Sequence, residues 1–392
     1  MNEQLKYILL HKSQNISYDN DHCYVNGQAI QKEPTETRTS EEIAEDLVKK
    51  FYNEFFKKYY KNIVVLLAAG ASMDNGSNRG KSREGLWTDC KDEIDYIFKK
   101  CPNIENKGFQ NTYDIEGFLT SLILHEKVNE EIVSEDGEKT IKKIERKIVD
   151  ACTLLLDKSK APHKKFLDKI TARKVNDPRV QVFTTNYDTL IEQASNEGGF
   201  VLIDGFSFHQ PRQFSGRYFD YDIVNRENSR IKQEESFVAK VFHLYKLHGS
   251  LNWERKNEDV ILSEKTDNPL VIYPASEKYE SSYEQPYFEM MSRFQQSLRK
   301  ENTVLYVIGF GFQDKHIQNV IREAVNQNSS FHLVIVFYNR NEQGETGIIG
   351  EPIKDYLAEV SKFIPLSNVT VLFDTFSGFV DKLPLNQTYN IQ

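Results

Sequence analysis

The stretch from Asn62 to Trp87, NIVVLLAAGASMDNGSNRGKSREGLW, constrains the fold more than any other part of the chain. Ile63 to Leu67 is an unbroken run of β-branched and aliphatic side chains, long enough for a strand buried on both faces and too short for a helix of ordinary length. Such a strand belongs in the interior of a parallel sheet. Ala68, Ala69, Gly70, Ala71 and Ser72 follow at once; these small residues allow a sharp turn and a close approach of ligand to backbone, as a phosphate cradle requires. Many α/β proteins carry one such turn for packing alone, so this stretch by itself leaves packing and binding equally open.

Three later stretches repeat the pattern. Val180 to Phe183 is an apolar strand ending in Thr184, Thr185, Asn186, Tyr187 and Asp188. Phe237 to Leu247 leads into His248, Gly249 and Ser250, and Thr303 to Ile308 leads into Gly309, Phe310, Gly311, Phe312, Gln313 and Asp314. In open α/β sheets ligands bind in the crevice outside the carboxyl ends of the strands, so these four segments have a geometric reason to converge on one site.

With 392 residues, 39% hydrophobic and 12% aromatic, the chain can bury a large core, and one α/β domain with a smaller subdomain is expected. A net charge of −8 argues against nucleic-acid binding by broad electrostatics, so no direct nucleic-acid contact is expected. Cys23, Cys90, Cys101 and Cys152 lie far apart without a C-x-x-C pair, which indicates neither a zinc ribbon nor a disulfide framework; thiols in a reducing cytosol are the simpler reading. The N-terminal MNEQLKYILLHK is too interrupted for a signal peptide or membrane span, so a cytoplasmic protein without a membrane association is expected.

Along the chain, Val25-Asn26-Gly27 reads as a tight hairpin turn within residues 1–38, a segment expected to serve docking or oligomerisation. Thr39 and Glu42 form a capping box that opens a helix with an apolar residue at every fourth position from Ile43 to Tyr59. Its lysines read as a solvated face. From about 87 to 175 strand character is lost and helical spacing prevails over 88–100, 114–128, 140–158 and 163–173, marking an inserted small domain. A short helix is expected over 189–195 and a strand over 200–203. The polar, aromatic segment 204–235 has no periodicity and reads as a lid or binding loop. Strands over 270–273, 303–308, 332–337 and 369–372 then alternate with helices over 283–299, 314–325 and 352–360, the βαβ rhythm of a doubly wound sheet.

His248 follows a strand and precedes glycine, which leaves room for a ligand or water, and an ordinary pKa of about 6.5 suits it to general-base work; the same placement would equally satisfy a turn. Asn186 can donate to and accept from a ribose hydroxyl or a water, or cap the helix that begins near Asp188. Asp188 is the better cap of the two, and Asp314 reads as the cap of the helix after Gly311. Gly309 and Gly311 relieve crowding at a strand end, whether or not a ligand lies there.

Taken in order, the Gly70-Ala71-Ser72 turn, Thr184-Thr185-Asn186-Tyr187-Asp188, Leu247-His248-Gly249-Ser250 and Gly309-Phe310-Gly311-Phe312-x-Asp314-x-His316 resemble the sirtuin-like domains of bacterial antiviral systems. The resemblance covers roughly 62–381 and is specific as a set. It implies a Rossmann-like doubly wound parallel sheet spanning 39–392, with the helical insert closing over a cleft for NAD. It implies Asn186 and His248 as catalytic residues, and NAD contacts from Gly70, Ala71, Ser72, Trp87, Thr185, Asp188, Gly249, Gly309, Phe310 and Gly311. Departures are Ala68 where the family turn usually has glycine, Gly85-Leu86-Trp87 where a Pro-Asp-Phe-Arg ending is usual, Gly311 at a position that usually carries a small hydroxyl residue, and no zinc-binding cysteines. The implied activity is NAD hydrolysis to nicotinamide and ADP-ribose in abortive antiviral defence, with no metal; a protein deacylase or ADP-ribosyltransferase, and a non-catalytic NAD-binding scaffold, are the alternatives. The resemblance also implies a homo-oligomer and a hexameric HerA-class ATPase as partner.

Overall fold

The computed structural model describes residues 5–105, 107–111, 113–129, 131–134, 137–225, 237–263, 266, 268–271, 285–312, 314–338 and 368–385. The strands are β1 (Lys6–His11), β2 (Ile16–Tyr18), β3 (Cys23–Val25), β4 (Gln28–Ala29), β5 (Asn62–Leu67), β6 (Val180–Thr184), β7 (Val201–Ile203), β8 (Val241–Lys246), β9 (Trp253–Lys256), β10 (Asp259–Leu262), β11 (Thr303–Ile308), β12 (His332–Phe337) and β13 (Val369–Phe373). Eleven of them form one sheet in the order β4-β3-β2-β1-β13-β12-β11-β5-β6-β8-β7. From β13 to β7 every pairing is parallel. This is the α/β, doubly wound architecture that the strand and helix rhythm predicts.

β5 lies in the middle, and its alternation serves both faces. Ile63, Val65 and Leu67 pack with the helices Ser40–Phe55, His163–Ile170, Leu190–Gly198 and Phe376–Lys382. Val64 and Leu66 pack with the helices Tyr287–Leu298 and Lys315–Gln327 on the other side. Val64, Val65 and Leu66 are 0% exposed, each side chain contributing roughly 2 kcal/mol through removal of apolar surface from water. The capping box stands as read: Thr39 accepts from the Glu42 amide and Glu42 accepts from the Thr39 amide, satisfying two orphan donors of the helix Ser40–Phe55.

The N-terminal segment is built into its own chain's sheet. β1 pairs antiparallel with β13 and carries β2, β3 and β4 outward as an edge extension, with Asn26 and Gly27 both at positive φ in the β3–β4 turn. The helical insert is narrower than its sequence suggests. Its core of Trp87, Ile94, Phe98, Phe118, Leu122, Ile144 and neighbours draws on helices from Arg83–Asp89 through Thr140–Cys152, whereas Phe166, Leu167 and Ile170 face the sheet. A β9–β10 hairpin, unmarked by the sequence reading, turns at Asn257 and bridges Gln213 through Ile261, so residues 204–225 are pinned to it. The expected helix over 352–360 lies outside the described residues, as does part of the expected strand over 270–273. Among the described residues no helix is long and apolar enough to cross a membrane.

His243, in the middle of β8, is partly exposed; its Nδ1 is hydrogen-bonded to the Tyr245 hydroxyl at 3.0 Å, and its buried Nε2 has no partner among the described residues. Burial pushes its pKa down to about 4, with Asp222 opposing and Arg179, Arg293 and Lys300 reinforcing. The folded value lies below the unfolded one, so the stability linked to this ring is full above pH 6.5 and is lost as pH falls toward 4. Chemical denaturation across that window should show a loss on the order of 2 kcal/mol that the His243→Gln variant lacks; equal slopes in the two proteins would refute the assignment.

Candidate functional site

Register alone brings the four strand ends together. Leu67 pairs with Ile308 on one side and with Thr184 on the other, and Thr184 pairs with Lys246. The ends of β11, β5, β6 and β8 therefore stand side by side at one level, spaced about 4.8 Å per step. Between β5 and β11 the chain reverses its direction of travel across the sheet, which is where an open α/β sheet forms its crevice.

At that switch point the two glycine turns touch. The Gly70 amide donates to the Gly309 carbonyl at 3.0 Å. A Cβ on Gly70 would meet Gly309 Cα at 2.5 Å, and a Cβ on Gly309, whose φ is +70°, would meet the Ala71 nitrogen at 2.4 Å. Both positions thus require glycine for backbone packing, independently of any ligand.

Asn186, two residues beyond β6, has both amide hydrogens committed. Its Nδ2 donates to the Ala68 carbonyl at 3.0 Å and to Ser72 Oγ at 2.7 Å; because a carbonyl can only accept, the amide orientation is fixed. What Asn186 retains for a ligand is Oδ1, an acceptor. Ser72 Oγ passes its own hydrogen to Asp188 Oδ2 at 2.6 Å, and Asp188 Oδ1 accepts from the Leu190 amide at 3.0 Å; the N-cap position of the helix Leu190–Gly198 is Thr189, so Asp188 receives the first helical amide from one residue before the cap instead of being the cap itself. Lys246, the last residue of β8, is 2% exposed; its Nζ donates to the carbonyls of Tyr187 and Asp188 and to Glu192 Oε1 at 3.0 Å. This buried cation ties the loop carrying Asn186 to the strand carrying His248, and burial in turn raises the Glu192 pKa against the pull of Lys246.

His248 lies two residues past β8. Its Nε2 is 3.1 Å from Asp314 Oδ2, and both side chains are 11% exposed. Asp314 Oδ1 accepts from the amides of His316 and Ile317, the helix cap expected from sequence. Burial pushes this carboxyl up, but the His248 hydrogen bond and charge and the two amides outweigh it and hold it below the usual carboxylate range. The contact spans from the β8 end to the β11 end, across β6 and β5. Gly249, at φ +87°, bridges to Val271, and a Cβ there would meet the Leu270 carbonyl oxygen at 2.1 Å; Val271 packs on the insert core, which therefore borders the site beside His248.

The remaining site residues of the sequence reading fall into two groups. Thr185 is half-buried, donating its amide to the Leu67 carbonyl at 3.1 Å, and Gly311 is exposed at the rim. Ala71 and Phe310 are buried, Phe310 against the second sheet core, and Trp87 is 6% exposed inside the insert, its ring 5.8 Å from that of Phe118. The indole is thus placed by packing with the insert rather than at the strand ends. Lys246 and the pairing of Asp314 with His248 carry no mark in the sequence patterns described above; a lysine ending a mostly buried strand is the available signal for the first. Among the described residues no group of three or more His, Cys, Asp or Glu is placed to hold a metal ion.

Residues 180–355, less than half of the chain, match the family model of the SIR2-like domain. That span contains Asn186, His248, Gly309 and Asp314, while β5 and Gly70 precede it. Among solved structures, the chain aligns with a substituted Sir2 homologue in complex with ADP-ribose at 12% identity, covering 85% of this chain and 94% of the other with a TM-score of 0.39. It aligns with a Sir2 variant holding a deacetylated p53 peptide and 3′-O-acetyl ADP-ribose at 11% identity, covering 86% and 96%, TM-score 0.42. No curated protein matches the chain.

Two stability predictions follow from this geometry. Lys246→Met should lower the unfolding free energy by about 3 kcal/mol, the low end for breaking a buried pair because Glu192 keeps 22% of its side-chain surface in water, and adding Glu192→Gln should recover part of it. Gly309→Ala should cost at least about 2 kcal/mol through its positive φ and the backbone clash, measurable by urea denaturation; a neutral substitution would show that the two turns are not in contact.

Proposed function

We propose that this chain hydrolyses NAD at the nicotinamide glycosidic bond, giving nicotinamide and ADP-ribose. The observation that carries the reading is that Asn186 and His248 each lie two residues past the ends of the paired strands β6 and β8, with both Asn186 amide hydrogens already committed to protein acceptors. The SIR2-like match over 180–355 supports it, and so do the ADP-ribose ligands named for the aligned Sir2 structures, as properties of those proteins.

In this reaction the bond between C1′ and the nicotinamide nitrogen breaks with its electron pair going to nicotinamide, which leaves neutral. The ribose passes through an oxocarbenium-like state, and the attacking water loses a proton as its oxygen bonds to C1′. An acceptor dipole suits both the positive charge and the orientation of that water, and Asn186 Oδ1 is such an acceptor. His248 takes the proton. Gly70, Ser72, Thr185, Asp188, Gly249 and Gly311 belong to this reading as the crevice wall, with NAD as substrate. The antiviral setting, a homo-oligomeric state and a HerA-class partner enter the proposal through the family resemblance, and the acidic balance of the chain fits delegation of DNA contact to another protein.

The test is incubation of the purified protein with NAD, alone and with an acetylated peptide, followed by chromatography. Free ADP-ribose without peptide supports hydrolysis, whereas O-acetyl-ADP-ribose appearing only with peptide would replace it by deacylation. His248→Ala should lower nicotinamide release by roughly 10²–10⁴-fold and cost about 1–2 kcal/mol of stability, since it strands Asp314 Oδ2. Asn186→Ala should lose activity as well as about 1–2 kcal/mol of stability, since it strands the Ala68 carbonyl and Ser72. Near-parental nicotinamide release by the His248 variant would sink the proposed base.

A further inference from the structure

Asp314 does two separable things with two oxygens. Oδ1 alone caps the helix Lys315–Gln327 through the His316 amide at 2.8 Å and the Ile317 amide at 3.2 Å. Oδ2 plays no part in the cap and lies 3.1 Å from His248 Nε2. A carboxylate held in its ionised form by two backbone amides can only accept, so the hydrogen in the contact belongs to the imidazole. A neutral ring with hydrogen on Nε2 carries its lone pair on Nδ1. Nδ1 has no hydrogen-bond partner among the described residues.

We propose that Asp314 is a positioning residue that fixes neutral His248 as the Nε2–H tautomer, so that Nδ1 is the atom that receives a proton at this site. The arrangement is a carboxylate–imidazole pair assembled from the ends of two strands that are not neighbours, and it orients the ring across the crevice while placing a negative charge beside the imidazolium that forms on proton uptake. The source of the proton rests on the NAD-hydrolysis reading; the tautomer does not.

The experiment uses the full chain with ¹⁵N-labelled histidine and the Asp314→Asn variant. Asparagine caps a helix as well as aspartate does, but its amide would donate toward Nε2 and reverse the tautomer. At a pH where the rings are neutral, the parental protein should show a protonated Nε2 and a bare Nδ1 for His248, assigned by the resonances lost in His248→Gln, and Asp314→Asn should show the reverse. Nicotinamide release should fall at least about 100-fold in kcat, with KM for NAD changed less than about threefold and the denaturation midpoint nearly retained. Asp314→Ser, which caps without reaching the ring, should lose rate without reversing the tautomer. A bare Nε2 in the parental protein would overturn the proposal, as would an Asp314→Asn variant with unchanged tautomer and rate. A rise in rate would make the contact an inhibitory latch and overturn it too. A parental protein that shows the Nε2–H tautomer but releases no nicotinamide would sink the NAD-hydrolysis reading while supporting this one.

Discussion

The close backbone contact between the turns of Gly70 and Gly309 is the constraint on which the rest depends. Leaving β5 and β11 at the switch point, the chain runs to opposite faces of the sheet: the route from β5 returns to β6 through the helix His163–Ile170, while β11 continues into Lys315–Gln327. Two loops that diverge from adjacent strands can share one level only if nothing projects between them, and a Cβ at either glycine would fall inside the other's backbone. With that contact in place, the Ala68 carbonyl faces Asn186 and Ser72 reaches Asp188. The hydrogen-bond chain is therefore a consequence of the turn packing, and its geometry inherits the rigidity of the central sheet.

Polar groups around the crevice are satisfied in a directed way. Asn186 gives away its hydrogens, Ser72 passes one on, and Asp188 accepts from both Ser72 and the Leu190 amide. Beneath them Lys246 spends its ammonium on two carbonyls and Glu192, so a buried charge holds the Asn186 loop from below without facing the crevice. On the two proposed catalytic side chains, the atoms without a partner among the described residues are Asn186 Oδ1 and, in the proposed tautomer, His248 Nδ1, both acceptors. For the proposed chemistry that polarity is suited to a cationic ribose and a water that must lose a proton.

Much of the fold was legible because its signals are local. The apolar run Ile63–Leu67, the capping box at Thr39 and Glu42, and the Asn26-Gly27 turn each encode their own geometry, and the structure realises all three. Asn186 and His248 were legible as positions two residues past strand ends. What was not legible depends on pairings distant in sequence. β1 joins β13 across the whole chain, and no local pattern marks that partner. The resemblance implies a contact from Trp87 to NAD, but no local pattern marks Phe98 and Phe118 as the neighbours of its ring in the insert core. The segment 163–173 has the same helical periodicity as the insert helices, and only the sheet against which Phe166 and Leu167 pack distinguishes it.

Asp314 shows why a correct local reading can be incomplete. A carboxylate at a helix start fully explains itself to a sequence argument, since one oxygen and two amides satisfy the capping rule. The rule is silent about the second oxygen, and the aim of that oxygen is set by how far β8 carries His248 before Gly249 turns the chain away. Lys246 and His248, two residues apart, leave the end of one strand to serve adjacent loops: the first anchors the loop of Asn186, and the second reaches the helix start after β11. A single strand end thereby couples both proposed catalytic side chains, so a change in the register of β8 against β6 would move the two of them together and not one alone.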